Sequence, residues 1–311
     1  MTYRLKDFGS FHVGGRKVAV TGLPQEMFAY TPASPPRPKD PNGDYWIDQA
    51  YVQFFIPEDT GDRLPIVFLH GGGLTGVTWE TTPDGRPGWL NLFLGWGYPC
   101  YVVDLPERGR SGFSVLPDTW EGRPKARTAQ EAWSLFRFGA PEGFDAVMPF
   151  QGMDFPVEAL EAFSKQAVPR WTTTRDIHIR AFADIIDRIG RCTVICHSQG
   201  GDTSAQVVFE KADTVANYIA LEPSGFAPDL GATRLDGQRV LYVYGDNIEA
   251  HEQWQHLHPL AIESAERLKQ AGADVTWMDL AEHGFPGASL LLMMDRRSAE
   301  SAAIVRDWLE G

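Results

Sequence analysis

Cys192-Thr-Val-Ile-Cys-His-Ser-Gln-Gly-Gly201 decides how the rest of this sequence reads. An apolar, β-branched run from Thr193 to Cys196 stops at His197-Ser198-Gln199, a glycine pair follows, and a helix-like stretch begins at Asp202. A short strand buried on both faces is apolar without alternation, and glycines let it turn directly into a helix. That context suits a nucleophile elbow, with Ser198 above the carboxyl edge of a sheet and the Gln199 amide at a helix N-terminus facing an oxyanion. Cys196 stands where G-x-S-x-G has its first glycine, a departure that a slightly wider turn accommodates. Serine before glycine is also an ordinary helix N-cap signal, so the reading depends on the rest of the chain.

Upstream, residues 64–69 are a second apolar run, ending in His70-Gly-Gly-Gly-Leu-Thr-Gly76. Gly71, Gly73 and Gly76 match the G-x-G-x-x-G of dinucleotide binders. That fingerprint requires a helix starting within the glycines and an acidic residue about 20 positions on. Trp79-Glu-Thr-Thr-Pro-Asp-Gly-Arg-Pro-Gly88 breaks any such helix, and Asp104 comes too late. An oxyanion loop of the H-G-G-G kind fits instead, since small residues let the backbone approach a substrate oxygen. A plain glycine turn is the blander alternative.

Further out, residues 8–22 read as a hairpin turning at Gly14-Gly15, and 31–43 as an extended loop without helix or strand. Strands are expected over 51–56, 98–105, 215–221, 239–244 and 274–280. Helices are expected over 88–97, 174–189, 260–271 and 298–309. Strand and helix alternate throughout, which predicts a mainly parallel sheet with helices on both faces, a single α/β domain over 1–311. Arg108-Gly-Arg-Ser-Gly112 reads as a structural turn in preference to an anion site. Between about 113 and 173 the alternation breaks down, with short helices over 128–138 and 157–168. Trp133, Phe136, Phe144, Met148 and Phe150 lie there among prolines and glycines. An aromatic stripe is usually core; its place before the elbow suggests a lid with an apolar, substrate-binding face.

With 311 residues the chain can bury a full core. Its formal net charge of -13, without a basic cluster, argues against a nucleic-acid partner. No apolar run has membrane-spanning length, and the first residues lack the apolar core of a signal peptide. The expected location is therefore cytoplasmic, or periplasmic or secreted if a leader has been removed. Three cysteines make no disulfide framework and read as buried thiols. His251, His256 and His258 invite a metal reading, but no Cys or H-E-x-x-H supports it, and a solvated or lid-facing cluster is preferred. His70 and His197 read as packing or polar lining.

The strand ends place Ser198, Glu222, Asp246 and His283 along one edge, in the order serine, acid, histidine of an α/β-hydrolase. Serine needs a histidine to take its proton, and a carboxylate to hold that histidine. The sequence resembles the bacterial serine esterases of the esterase 713 type within the α/β-hydrolase superfamily. The residues carrying the resemblance are His70-Gly71, Leu74-Thr-Gly76, Thr78-Trp-Glu-Thr-Thr-Pro-Asp-Gly85, Gly88-Trp89, Gly109-Arg-Ser111, His197-Ser-Gln-Gly200 and Glu222-Pro223. The resemblance implies an α/β-hydrolase fold with an inserted lid, Ser198 as nucleophile, His283 as base and Glu222 as acid. It further implies an oxyanion hole from the amides of Gly72 and Gln199. Superfamily habit would take the acid from Asp246 instead. The activity expected is hydrolysis of a carboxylic ester through an acyl-serine, with no cofactor and no metal. Lactone or carbon–carbon bond hydrolysis, perhydrolysis on the same triad, and a non-catalytic binding protein are the alternatives. The expected partners are a small apolar or aromatic ester and, as a homodimer, a second copy of the chain.

Overall fold

The computed structural model describes residues 2–116 and 119–311; Met1, and Pro117 and Asp118 of the expected insertion, lie outside the described residues. In chain order the strands are β1 (Leu5–Val20), β2 (Glu26–Phe28), β3 (Arg37–Lys39), β4 (Gly43–Pro57), β5 (Ile66–Leu69) and β6 (Cys100–Asp104). They continue as β7 (Cys192–His197), β8 (Val215–Leu221), β9 (Arg239–Tyr244) and β10 (Asp274–Asp279). The helices are α1 (Trp89–Gly95), α2 (Ala129–Leu135), α3 (Leu160–Ser164), α4 (Arg175–Ile189), α5 (Gln199–Val208), α6 (Glu252–Gln270) and α7 (Ser298–Glu310).

Eight strands form one sheet in the order β1-β4-β6-β5-β7-β8-β9-β10. β1 and β4 are antiparallel, β4 meets β6 antiparallel, and every later pairing is parallel. This is an α/β-hydrolase fold. The strand order reverses between β5 and β7: the chain leaves β5 towards β6 and then crosses back. A crevice opens at such a switch point, beyond the carboxyl ends of the strands. The glycine loop after β5 and Ser198 after β7 therefore become neighbours. β5 and β7 are buried along their whole length, as their unalternated apolar sequences require.

Apolar side chains fill both faces of the sheet. One cluster includes Phe68, Phe93, Ile195 and Leu292; the other includes Val67, Phe182, Val194 and Leu268. Burial pushes the Cys192 thiol up to about 12 and the Cys196 thiol up to about 11, so both stay protonated. All three cysteines are free and buried, as expected.

Several local expectations need correction. Residues 8–22 are not a hairpin: β1 runs straight through Gly14 and Gly15, pairing from Leu5↔Pro57 to Val20↔Gly43. The glycines keep φ of 66° and 84°, yet the partner is the long β4, so the strand passes through them with its register kept from Gly14↔Gln49 to Arg16↔Ile47. The stretch 31–43 contains β3, which pairs antiparallel with β2. α6 begins at Glu252, well before 260, because His251 caps it and the helix continues through Pro259. A proline usually stands in the first turn of a helix, whereas Pro259 lies inside this one.

The stretch between β6 and α4 is clasped to the site loops. The Val168 amide donates to the Gly73 carbonyl at 2.9 Å, and Lys125 and Arg170 exchange backbone hydrogen bonds at 2.7 and 3.0 Å. Most of its aromatics belong to the core. Trp133, Phe136, Phe138, Phe155 and Phe163 are buried together, with Phe138 and Phe155 stacked at 4.0 Å. Phe144 and Phe150 pack against that cluster, whereas Met148 is 59% exposed. Of the five residues proposed to bind substrate, only Phe136 reaches the pocket beside Ser198. The others are corrected to core or surface: aromatic rings this close to a sheet lose more contact with water by packing together than by facing a polar cleft. Met148→Ala should therefore change stability by less than about 0.5 kcal/mol and leave kcat/KM unaltered, checked by thermal melting and ester assay.

Candidate active site

Ser198 joins the end of β7 to the start of α5 at φ 49° and ψ −119°. A side chain at positive φ is strained, at a cost on the order of 1–3 kcal/mol that persists only where neighbours enforce it. Here they do. The Ser198 amide donates to the Leu221 carbonyl at 3.1 Å, while its carbonyl accepts from Gly201 and Ser224 at 2.8 and 3.0 Å. The hydroxyl makes no capping bond to α5, which removes the N-cap explanation for the Ser-x-Gly pattern. Cys196, in place of the first elbow glycine, is fully buried and bonds the Tyr218 hydroxyl at 3.3 Å.

Ser198, Gln199 and Gly72 line one pocket of about 460 Å³. The Gln199 amide is the first of α5 and so has no partner within its helix, and the Gly72 amide also donates to nothing among the described residues. A Cβ at Gly72 would lie 2.3 Å from Nη1 of Arg170 and 2.7 Å from Oε1 of Gln199, so a larger residue would displace the ends of those two side chains. The geometry brings together the hydroxyl and both amides that the sequence had paired. Leu135, Phe136 and Trp254 give the pocket an apolar side; Arg127, Arg170 and His251 give it a cationic and titratable one. An apolar or aromatic substrate face is thus not what this pocket mainly offers.

The expected acid and base are not brought together. Glu222 is fully buried at the end of β8, and its carboxylate is occupied by Arg137, whose Nη2 and Nη1 donate to Oε1 and Oε2 at 2.5 and 3.1 Å. The Gly245 amide donates to Oε1 as well. Glu222 also sits at φ 49°, although a residue before proline ordinarily adopts extended backbone. Arg137, fully buried, completes the network by donating from Nε to the Asp246 carbonyl at 2.8 Å. Asp246 serves its own turn: Oδ1 accepts from Asn247 and Oδ2 from Gly287, so it holds no histidine either. His283 is exposed, its Nδ1 lies 2.8 Å from the Asp279 carbonyl, and it does not line the pocket of Ser198. The loop after β10 does run back into the site, where the Leu290 amide donates to the Phe136 carbonyl at 3.3 Å and the Leu290 carbonyl lies 3.1 Å from His197 Nε2. His283 is left at the surface before that return, which chain order alone could not reveal.

Two histidines do line the pocket, His197 and His251. His197 is spent on structure: Nε2 lies 3.1 Å from the Leu290 carbonyl, and burial first of all pushes its pKa down to about 3. His70 is similarly committed, with Nδ1 near the Gly71 carbonyl and Nε2 accepting from the Leu105 amide; burial lowers its pKa to about 4. His251 is only half-buried. It caps α6, with Nδ1 accepting from the Gln253 amide at 3.2 Å. Burial holds its pKa below the ordinary value, Glu252 opposes that and Arg137 adds to it. Within the cluster of three histidines it is the one at the site; His258 packs against Tyr244 and Trp277 instead. No group of side chains that could hold a metal ion occurs among the described residues.

Sequence reasoning missed Arg127, Arg137, Arg170 and His251. The arginines lie at the margins and in the middle of the irregular stretch, where no periodicity assigns a direction to a side chain. His251 carries a signal, a histidine just ahead of a helix, but grouped with His256 and His258 it reads only as part of a solvated or lid-facing cluster.

No family model matches the chain. Among solved structures, a novel bacterial esterase superposes with a TM-score of 0.86 at 30% sequence identity, over 100% of this chain and 97% of that one. Among curated proteins, one named as a probable secreted lipase, from Fungal sp. (strain ATCC 74256), is 26% identical over 332 residues. That match takes in 86% of this chain and 87% of the lipase. Both likenesses run along most of the length of each chain.

Proposed function

The chain belongs to the α/β-hydrolase superfamily, within its bacterial esterase type, and from that premise we propose that it hydrolyses carboxylic esters through an acyl-Ser198 intermediate. The observation that supports this best is Ser198 itself. It is a strained, uncapped serine at the switch point, beside two amides without acceptors. Those amides, of Gly72 and Gln199, would receive the charge that develops on the carbonyl oxygen as Ser198 attacks.

The attacking hydroxyl must lose its proton. His283 and Glu222 do not meet in this fold, and His197, held near 3, is too weak a base. His251 is the pocket histidine that remains. Release from the Gln253 amide frees its Nδ1 for the serine proton, while Nε2 keeps its own. The resulting imidazolium would protonate the departing alcohol. The same ring would then take a proton from the water that attacks the acyl-enzyme. The stretch from about 113 to 173, in this reading, is a fixed cover over the pocket.

A fluorophosphonate should label wild-type protein at Ser198 alone, read by peptide mass spectrometry. Lack of labelling would point to ester binding without turnover, which the commitment of Glu222 to Arg137 would suit. His251→Ala should lower kcat/KM by at least about 10²-fold, the lower end for general base catalysis, whereas His283→Ala should leave it unchanged. The opposite ranking would restore His283 to the mechanism. Neutral imidazole is the active form, so the rate should rise with pH. Because the His251 pKa is lowered, the midpoint should fall below the ordinary histidine value of about 6.5.

A further inference from the structure

The pocket holds more positive charge than its own fold neutralises. Arg170 makes one side-chain bond, from Nη1 to the neutral Oε1 of Gln199 at 3.0 Å. Arg127, with its side chain 13% exposed, donates to the Gly72 carbonyl at 3.2 Å, lies over the Phe136 ring at 5.1 Å and, among the described residues, has the exposed Glu131 as its carboxylate, at 3.4 Å. Behind them Arg108, 1% exposed, reaches the same Gln199 oxygen with Nη2 at 3.5 Å. Its Nη1 is buried with no hydrogen-bond partner.

Nearby carboxylates are committed elsewhere. Glu107 serves Arg108, His178 and the Trp171 amide, and both oxygens of Asp202 serve Arg175. Burial, with help from Arg170 and Arg127, depresses the Arg108 pKa to about 10, and Arg170 depresses Arg127 in the same way after burial. Arg108 and Arg170 share one glutamine oxygen, with Arg127 on the adjoining Gly72 carbonyl. Since Glu107 answers Arg108 and the exposed Glu131 answers Arg127, Arg170 is the charge here that an anion would offset. A planar guanidinium pairs best with a planar, two-oxygen acceptor.

We infer that the pocket selects esters that carry a second, free carboxylate a few carbons from the scissile bond, received by Arg170 and Arg127 beside the oxyanion hole. This rests on Ser198 being the nucleophile. The distance is short because Arg170 Nη1 lies over Gly72, whose amide belongs to the oxyanion hole. Half-esters of short dicarboxylic acids have that form. Arg108 acts as a positioning residue, holding Gln199 from behind.

The test compares monoethyl glutarate with the ethyl ester of its monoamide, a neutral molecule of the same shape, on the wild-type chain. Hydrolysis is followed by chromatography of the released acid. The half-ester should be favoured in kcat/KM by about tenfold or more, the scale of one charge-assisted hydrogen bond. Arg170→Gln should bring that ratio close to one, and Arg170→Lys, which keeps the charge but loses the fork, should fall between. Calorimetry on Ser198→Ala protein supplies a readout without turnover: monoethyl glutarate should bind at least about tenfold more tightly than the amide. Equal handling of the two esters, with both hydrolysed, would overturn the subsite and leave the esterase reading standing. Selective binding of the anion without hydrolysis of either would do the reverse. A preference that survives Arg170→Gln in folded protein would also overturn the assignment.

Discussion

Replacing Ser198 by alanine should lower kcat by about 10⁶, the scale of losing a nucleophile that acts with its base as one unit. The fold should survive. The hydroxyl makes no capping bond, and the elbow is held by backbone bonds to Leu221, Gly201 and Ser224 that alanine preserves. Alanine tolerates the positive φ no better than serine does, so melting temperatures should nearly coincide. Circular dichroism and a sensitive ester assay on the same preparation separate the two effects. Substantial residual turnover with phosphonate labelling elsewhere would remove Ser198 from the chemistry.

The Glu222–Arg137 pair should show itself in stability, with an effect of about 3–5 kcal/mol when one partner alone is removed. Both side chains are fully buried, so Glu222→Gln leaves a guanidinium with no counter-charge, and Arg137→Met leaves a carboxylate with none. The double variant Glu222→Leu, Arg137→Met removes both charges and should recover much of the loss, because desolvating an ion pair consumes most of what its attraction returns. Urea unfolding of the two singles and the double measures this coupling. If Glu222 instead held the catalytic histidine, Glu222→Gln would unfold normally and lose kcat by about 10⁴. That result would mean that Arg137 is displaced when the enzyme works.

The sheet was legible because its strands carry their own signal. The bounds of Val215–Leu221 and Arg239–Tyr244 fall where the apolar runs begin and end, and the Ser198 elbow follows from a strand, a turn and a helix adjacent in sequence. That Gly72 and Ser198 share a pocket was legible for the same reason, since the two need only neighbouring parallel strands to meet. The acid and base were not. They depend on where long loops send their side chains, and nothing local to Glu222 announces that Arg137, 85 residues earlier, will claim its carboxylate. The aromatic stretch misled in a similar way: Trp133, Phe138 and Phe155 are apolar whether they face a ligand or one another, and only packing distinguishes the two. The pocket's cationic character escaped because Arg127 and Arg170 meet through a backbone bridge between residues 45 positions apart, Lys125 and Arg170.

That bridge, with the Val168–Gly73 bond, has a bearing on how a ligand is received. The cover is fastened to the glycine loop whose Gly72 amide we propose as an oxyanion donor, so swinging it away would pull that amide out of line. Most of the entropy of arranging the glycine loop and its cover is therefore lost when the chain folds, which leaves little of it to be lost at the moment of encounter. An incoming ester meets a socket of fixed shape, and discrimination must come from how well it fits that shape and not from closure around it.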